Sequence, residues 1–522
     1  MTRINTNVSS LIAQRVLGQN NGSLTTSLER LSTGLRINRG KDDPAGLIAS
    51  QNLRAETAAL GAAISNAERA DQVVNIAEGG LNEVSGLLTE LQSLVTQTAN
   101  TAGLSREEKE ANQLQIDSIL QTIDRISAAT SFQGAKLLNG NFDYSTSGVA
   151  DTVTQFKVFG AKLQYNGSLD VDVLVTASAQ VGGFLLSFGA ANLDLASSTD
   201  QFVIEIAGAK GSRELSFASG TSTADIVATI NAFSDVTGVR ARVSGATSPI
   251  RLYTSGYGSE EFVSVRVVDD GGLTAGDGIY NLATGNADAV GALASTFANA
   301  RNRVTDYGQD VQATINGIVA TTRGTVARIN TDFLDVEVNL AYDTAGGAGP
   351  NAAQLGVVNA FEITGGGADF QLAGRVDIAG KVSVGVQNIA VRDLGRSILN
   401  VLNSSGNAVD NTYTLADLAS GKGLNLKDGN VSAAQSVVEK AIREVSSVRG
   451  RLGAFQANTV AATIRSLGIS LENTTSAESA IRDSDFASET SSLTRAQILV
   501  ASAQNTLALA NSQPQSALQL LG

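Results

Sequence analysis

The feature that most constrains this chain is a helical repeat of small and apolar side chains towards both of its ends. Near the C-terminus such a residue recurs every three or four positions over residues 493–521. Similar repeats cover residues 24–35, 70–98 and 434–462. A regular four-three alternation lays one stripe along a helix and is typical of a coiled-coil seam. Both ends of the chain are therefore predicted to be helical.

The middle of the chain, from about residue 150 to residue 400, is patterned differently and is rich in Gly, Val and Thr. Clusters of β-branched residues between turn-forming residues predict strands at 170–173, 202–206, 239–243, 262–268 and 333–340. Residues 223–233 and 287–304 have helical spacing instead. The predicted fold class is α+β and multidomain, with a discontinuous terminal α-helical coiled-coil bundle and a large β-rich central insertion.

Short local signals predict where several helices begin and end. Asp43 stands at a helix N-cap position and Pro44 in the first turn, where its missing N–H costs nothing. Ser105 with Glu108 forms a capping-box pattern for another helix. The polar residues 472–479 are expected to separate the last apolar stripe from the one before it.

The absence of two residue types excludes most site chemistry, because the chain contains no His and no Cys. A Ser-His-Asp triad, a Cys nucleophile, a zinc site of the usual ligands and a disulfide all need one or the other. Adjacent acids such as Asp42 with Asp43 fit helix starts and turns better than a pair of catalytic carboxylates. We therefore expect no enzyme, no cofactor and no metal.

The charge and hydropathy patterns disfavour nucleic acid and membranes as partners. Lys and Arg total 37 against 50 Asp and Glu, a formal net charge of -13, which repels phosphates. No uncharged apolar run reaches the roughly eighteen residues of a membrane span. The first seven residues contain no apolar segment of signal-peptide length, so we expect export to use another route.

Apolar seams near chain ends need something to cover them, because termini otherwise fray. Burying one small side chain contributes about 1 kcal/mol, which is less than ordering one helical turn costs. We expect the last stripe to become ordered only when several copies bring their seams together. Periodicity alone leaves open a bundle within one molecule. A membrane-surface anchor is disfavoured, since Arg495 is the only cation after Arg482.

Two long motifs, in this order, resemble those of bacterial flagellins. The first is SLERLSTGLRIN at residues 27–38 followed by KDDPAG at 41–46, and the second is SAESAIRDSDFA at 476–487. The resemblance covers about residues 1–140 and 430–522, and residues 208–243 resemble an insert motif of flagellins and hook-associated proteins. It implies a structural subunit that is exported and polymerises into the extracellular bacterial flagellar filament, enabling swimming motility.

The resemblance also implies a division of the chain into three regions. Residues 1–43 with 476–522 would form the inner-core terminal helices of the filament. Residues 44–165 with 370–475 would form a helical shell domain with a small β-hairpin region. Residues 166–369 would be a variable β-rich surface insert of one or two subdomains.

Two sets of apolar side chains are predicted to carry assembly. Inner-core assembly is assigned to Leu24, Leu28, Leu31, Leu35, Val500, Leu507 and Leu521. Shell packing is assigned to Leu81, Leu88, Leu91, Val445, Leu452 and Phe455. For each shell residue the alternative is a core position within one molecule.

The resemblance further implies several partners besides other copies of the chain. These are an export chaperone at the C-terminal helix, the filament cap and hook-associated proteins, and an innate immune receptor. The candidate receptor segment comprises Thr89, Glu90, Leu94 and Gln115. Flagellins that the receptor senses carry an arginine at the position of Glu90 and a glutamate at that of Gln115, so weak signalling is predicted.

Two related functions remain as alternatives to the filament subunit. A hook-filament junction protein shares the same terminal helices, and a filament-displayed adhesin would use the central insert. Tyr253, Tyr257 and the Asp269-Asp270 pair are candidates for the adhesin site, although ordinary strand and turn roles fit them better. The long insert and the match at both terminal motifs favour the filament subunit.

Overall fold

The computed structural model describes residues 6–100, 103–164, 167–244, 249–273, 277–283, 286–340, 355–402, 408–427 and 429–519. Helices lie towards both ends and strands lie between them, which confirms the predicted α+β class. The α-helices are α1 (Val8–Thr33), α2 (Pro44–Thr98), α3 (Arg106–Ala129), α4 (Thr223–Ala232), α5 (Ser234–Thr237), α6 (Val431–Ala454), α7 (Ala461–Arg482) and α8 (Phe486–Gln519). A π-helical segment, Phe455–Val460, joins α6 to α7.

The strands follow one another along the middle of the chain. They are β1 (Ser131–Phe132), β2 (Ala135–Lys136), β3 (Tyr144–Ser147), β4 (Gln155–Ala161), β5 (Leu169–Ala177), β6 (Gly183–Ser187), β7 (Gln201–Gly208), β8 (Gly211–Ala218), β9 (Val239–Val243), β10 (Ile250–Thr254), β11 (Phe262–Asp269), β12 (Gly278–Ala283), β13 (Asn286–Thr296), β14 (Val304–Tyr307), β15 (Gln312–Ile315), β16 (Ile318–Val319), β17 (Thr321–Arg323), β18 (Val326–Asn330), β19 (Leu334–Asn339), β20 (Gly356–Gly366), β21 (Ala368–Gln371), β22 (Lys381–Val384), β23 (Ser397–Leu402) and β24 (Ala408–Tyr413).

The chain divides into two compact units. The first contains Met1–Asn75, Phe370–Lys381 and Gly450–Gly522, and the second contains Ile76–Asp369 and Val382–Arg449. The first unit is mainly helical. The second carries the β-rich middle of the chain together with parts of α2 and α6 and the whole of α3.

The helix boundaries near the N-terminus follow the sequence signals. α1 ends at Gly34, whose φ of 72° is a left-handed conformation that glycine adopts readily. α2 begins at Pro44, and a carboxylate oxygen of Asp43 accepts a hydrogen bond of 2.9 Å from the backbone three residues later. The predicted capping box of α3 is present, with Ser105 and Glu108 bonded reciprocally at 2.7 and 3.2 Å.

Buried stripes and polar bridges hold the helical part of the second unit. The stripe residues Leu81, Leu88 and Leu91 of α2 are fully buried, as is Val445 of α6. Gln113 of α3 is also buried: its amide donates to the carbonyl of Leu418 at 2.9 Å and accepts from the N–H of Leu426 at 2.8 Å. One glutamine side chain therefore satisfies two backbone groups of the segment that precedes α6.

A first pair of sheets packs around the aliphatic residues of β5 and β19. One sheet has the order β16-β15-β5-β20-β3 and the other β17-β18-β19-β4. Val171, Val173 and Val175 alternate inward from β5 into this core. The hydroxyl of buried Tyr144 accepts from the N–H of Ala161 at 2.8 Å, and burial raises the pKa of Tyr144 to about 12, so it stays protonated.

A second pair of sheets has an aromatic core. Its sheets have the orders β13-β12-β6-β10-β9 and β14-β11-β7-β8, and α4 buries Ile226 and Ile230 in the same core. The ring of Phe202 lies 5.4 Å from that of Phe188 and 5.1 Å from that of Phe297. The five strands predicted in the middle zone are all present, and α4 confirms the predicted helix at 223–233.

One local prediction is wrong. Residues 287–304 were predicted to be helical, but most of them form β13 and a 3-10 turn at Phe297–Asn299. Pairing of β13 with β12 outweighs the helix preference of this alanine-rich stretch. The polar residues 472–479 lie on α7, which continues to Arg482, and they precede the last apolar stripe, which lies on α8. Helix α7 buries no residue, so polar side chains are solvated on it at little cost.

Candidate assembly surface on the terminal helices

Helices α1 and α8 pair through a seam of small side chains. The buried residues of α8 are Ala496, Ala503 and Ala510, spaced seven apart, among those whose side chains the structure describes. α1 contributes buried Ser10, Ala13 and Ser27. A seven-residue spacing keeps one line of a helix against its partner, and small side chains let the two backbones approach. The predicted four-three stripe therefore marks the face along which these helices meet.

Polar contacts fix the two helices as antiparallel. The side-chain amide of Asn7 donates to the carbonyl of Ala510 at 2.7 Å, and the hydroxyl of Ser10 donates to Asn511 at 2.7 Å. Further along the pair, the guanidinium of Arg30 on α1 lies 3.8 Å from the carboxylate of Glu489 on α8. Early residues of α1 thus meet late residues of α8, and this sets the register of the pair.

The pair is anchored where α1 ends and α8 begins. The N–H of Arg36 donates to the carbonyl of Arg482 at 2.7 Å, and its guanidinium donates to the carbonyl of Ile481 at 2.6 Å. The N–H of Ser484 donates to the carbonyl of Gly34 at 2.9 Å. These bonds satisfy backbone groups at the end of α7 and at the turn after α1.

The outer side of the pair carries large apolar side chains in contact with solvent. Leu11 is 58% exposed, and both Ile498 and Leu509 are 64% exposed. Residues 498 and 509 are about three helical turns apart, so they share a face that points away from the alanine seam. Among the side chains that the structure describes, the exposed large apolar residues of the pair are Val8, Leu11, Ile12, Val16, Leu28, Phe486, Ile498, Leu499 and Leu509. An apolar surface of this kind marks an interaction site.

Five of the predicted inner-core residues lie beside the seam, and one lies on the outer surface. Leu24, Leu31 and Leu35 of the first stripe and Val500 and Leu507 of the last are half-buried. Leu28 is exposed, and Leu521 lies outside the described residues. The structure brings the two stripes together in one helix pair, and their role in assembly stays a prediction.

The predicted shell residues are all buried. Leu81, Leu88, Leu91 and Val445 lie in the second unit, and Leu452 and Phe455 lie in the first. The ring of Phe455 stacks 6.0 Å from that of Phe370. Burial within one chain fits the intramolecular core reading, and shell packing between copies remains a prediction.

Sequence reasoning missed most of the exposed residues of the outer surface, notably Ile12, Ile498 and Leu509. The four-three alternation in the sequence predicts which residues form the seam, but it does not predict which large apolar residues lie off the seam. The presence of large apolar residues off the seam is the sequence signal for this surface, because an isolated helix pair normally carries polar residues on its solvent-exposed side.

The predicted receptor segment lies on α2 and α3. Thr89, Glu90 and Gln115 are exposed, whereas Leu94 is buried. Only the three polar side chains therefore face solvent in this subunit.

Two kinds of site are absent from the part of the chain that the structure describes. No helix there is long and apolar enough to cross a bilayer. No group of three or more carboxylates there is placed to hold a metal ion.

Comparison with known proteins gives family matches at both ends and in the middle. The bacterial flagellin N-terminal helical region matches residues 4–143, and the bacterial flagellin C-terminal helical region matches residues 435–521. The flagellin hook IN motif matches residues 201–251, where an insert motif was expected. Together these family models match more than half of the chain.

Full-length relatives are flagellins. Flagellin B of Helicobacter pylori strain J99 is 28% identical, with 99% of each chain covered. A flagellin of Salmonella choleraesuis strain SC-B67 is also 28% identical, with 99% of each chain covered. The solved structure of FliC from Burkholderia pseudomallei is 14% identical, covers 74% of this chain and 98% of its own, and gives a TM-score of 0.22.

The terminal helices, the order of the two terminal matches and the relatives matched from end to end agree with one another. They confirm the predicted resemblance and, with it, a structural rather than enzymatic role in motility. The chain belongs to the bacterial flagellin family, whose members are the structural subunits of the flagellar filament.

Proposed function

We propose that subunits polymerise through the outer apolar surface of the α1–α8 pair. The observation that carries this proposal is the exposure of Leu11, Ile498 and Leu509 on a pair whose own seam buries only small side chains. Fully burying one Leu or Ile contributes about 1.5 to 3 kcal/mol, so neighbouring copies that cover these residues would supply most of the stabilisation. Ordering of the pair would then be coupled to assembly.

The three regions of the chain would take different positions in the filament. Residues 1–43 with 476–522 would form its inner core, residues 44–165 with 370–475 the helical shell, and residues 166–369 the surface. What supports this assignment is the distribution of exposed apolar side chains, which is dense on α1 and α8, and the resemblance of both ends to flagellins.

The subunit would be secreted through the flagellar export apparatus in an unfolded state and would meet the filament cap and hook-associated proteins as it assembles. A chain without Cys forms no disulfides on this route. An export chaperone would cover the apolar face of α8, including Ile498 and Leu509, before export. Masking that face would prevent polymerisation inside the cell.

Activation of an innate immune receptor would be weak. Glu90 is exposed on α2 where sensed flagellins carry a positive charge, and Leu94, which matches them, is buried. Reversed charge at a contact weakens binding and slows association. A receptor reporter assay that gave full potency for the purified subunit would reject this part of the proposal.

Seeded polymerisation tests the assembly surface. The variants Ile498→Asp and Leu509→Asp each place a charge on the outer face of α8, and we expect no filaments from either by electron microscopy. The control Val268→Asp alters a similarly apolar, 43% exposed position in the second unit and should assemble normally. Filaments of normal length from both α8 variants would refute the proposal.

A further inference from the structure

The first sheet pair exposes a row of apolar side chains on its outer face. Strand register places Val319 opposite Thr314, Thr314 opposite Leu174, and Leu174 opposite Val357. Directly opposed residues project from the same face of a sheet, so these four form one continuous row across four strands, which we name the outer row. Val319 is 80% exposed, Val357 70% and Leu174 41%.

The core of this sheet pair lies on the opposite face of the sheet, so the outer row is a second apolar surface on the same strands. The alternate residues of β5, Val173 and Val175, are buried in the core between the two sheets. Antiparallel sheets normally place polar residues on the face opposite their core. Three large aliphatic side chains in line on that face therefore need another explanation, and Leu355, exposed just before β20, extends the apolar surface.

Acidic residues continue the same face next to the outer row. Asp172 is two positions before Leu174 on β5, and Asp170 is two before that. Asp170 lies directly opposite Glu362 of β20, which places two negative charges side by side. Like charges in this position destabilise a sheet unless a cation compensates them. The face thus presents an apolar row beside an acidic group.

A surface of complementary character lies on the second sheet pair. Lys210, Val236 and Arg240 are all exposed around the turn that joins α5 to β9, and exposed Asp235, next to Val236, offsets one of the two positive charges. The N–H of Lys210 donates to the carbonyl of Thr237 at 3.4 Å, which brings the β7–β8 turn against this segment. We name the group of Lys210, Val236 and Arg240 the basic corner.

We propose that the outer row and its acidic neighbours bind the basic corner of an adjacent copy in the filament. This inference rests on filament assembly as proposed above. A helical polymer is built from head-to-tail contacts, in which one patch of a subunit meets a different patch of the next. An apolar acidic face and an apolar basic corner on the same chain meet that requirement, and the contact would cover Val319, Leu174 and Val357.

Other occupants fit the outer row less well. Asp170, Asp172 and Glu362 would repel the phosphates of an anionic membrane. The row holds no aromatic ring on which a sugar would stack. A second copy of the chain is the occupant whose charge is complementary.

Cysteine cross-linking tests the contact directly, because the natural chain contains no Cys. The double variant Leu174→Cys with Val236→Cys is assembled into filaments, whose formation is first checked by electron microscopy, and is then oxidised with copper-phenanthroline. We expect a ladder of disulfide-linked dimers and higher multimers on a denaturing gel without reductant. Failure to form filaments at all would count against the assembly proposal, whereas filaments without a ladder would overturn the contact.

Four controls test whether the ladder requires both thiols, these two positions and an assembled filament. Leu174→Cys and Val236→Cys alone should each give no multimers beyond dimers, since a head-to-tail chain needs both thiols. Leu174→Cys with Val268→Cys, which moves the second thiol to another exposed valine of the second sheet pair, should give no ladder. A ladder of equal yield from this pair, or from unassembled subunits of the Leu174–Val236 pair, would overturn the proposal.

Charge reversal tests the acidic and basic parts. In the double-cysteine background, Asp172→Lys or Arg240→Glu should each lower the ladder yield by up to about fivefold, the range of exposed ion pairs. Combining the two reversals should restore it. Equal yields in all three variants, or a further loss in the combined one, would contradict the charge complementarity.

Discussion

The terminal helix pair and the second sheet pair bury their side chains in opposite ways. The sheets enclose Phe184, Phe202 and Phe297, which are almost completely buried. The α1–α8 pair encloses alanines and serines and leaves residues such as Ile498 and Leu509 in solvent. The second sheet pair encloses its largest apolar side chains within one molecule, whereas the helix pair leaves many of its own in solvent, where the proposed assembly would cover them.

This difference separates two ways in which one chain uses apolar residues. Large side chains in a closed core stabilise the subunit by itself, and their loss leaves a cavity. In the proposed assembly, large side chains outside the narrow seam stabilise the polymer, and their loss should leave the free subunit nearly unchanged. Substitutions in the two regions should therefore affect different measurements.

The largest effect on the subunit is expected from Phe202→Ala. Removing this fully buried ring leaves a cavity between Phe188 and Phe297 and should lower the free energy of unfolding of the second sheet pair by about 3 to 5 kcal/mol. Denaturant unfolding of the full chain measures it, and filaments should still form at low temperature. Val268→Ala, at an exposed position, should change stability by less than about 0.5 kcal/mol.

A smaller effect on stability, but a large one on assembly, is expected from Ala503→Leu. The added bulk pushes α1 and α8 apart at the centre of their seam, a strain of about 1 to 3 kcal/mol. Critical concentration for polymerisation should rise, while the unfolding transition of the sheets stays where it was. Ser502→Leu, one residue away and exposed, is the matched control; an equal rise for both would mean that the seam is not where the helices meet.

The smallest effect is expected from Ser105→Ala at the start of α3. Loss of the capping box should cost about 1 kcal/mol in the helical part of the second unit and leave polymerisation unchanged. Thermal unfolding followed by circular dichroism checks it. Ser118→Ala, on the exposed side of the same helix, should have no measurable effect. A rise in the critical concentration for polymerisation with Ser105→Ala, and not with Ser118→Ala, would contradict the expectation that this cap stabilises the subunit and not the filament.

Sequence alone predicted the elements whose signals are local. The start of α2 at Pro44 and the capping box at Ser105 each depend on residues within one helical turn. The seam at Ala496, Ala503 and Ala510 was visible because a helix repeats its contacts at fixed spacing. The family signatures lie in the same helices.

What sequence did not predict depends on contacts between distant residues. Residues 287–304 have helical spacing, yet most of them form β13, which pairs with β12. The strand order that aligns Val319, Leu174 and Val357 joins segments far apart in the chain. Ile498 was overlooked because exposure is decided by which face pairs, and the sequence shows the seam but not what lies behind it.

Hydrogen exchange of backbone amides in the free subunit and in the filament shows whether the α1–α8 pair needs neighbouring copies to be stable. We expect amides of α1 and α8 to exchange quickly in the free subunit and slowly in the filament, while amides of β7 and β11 are protected equally in both. Strong and equal protection of α1 and α8 in the free subunit would contradict it, because the helix pair would then be stable without neighbouring copies.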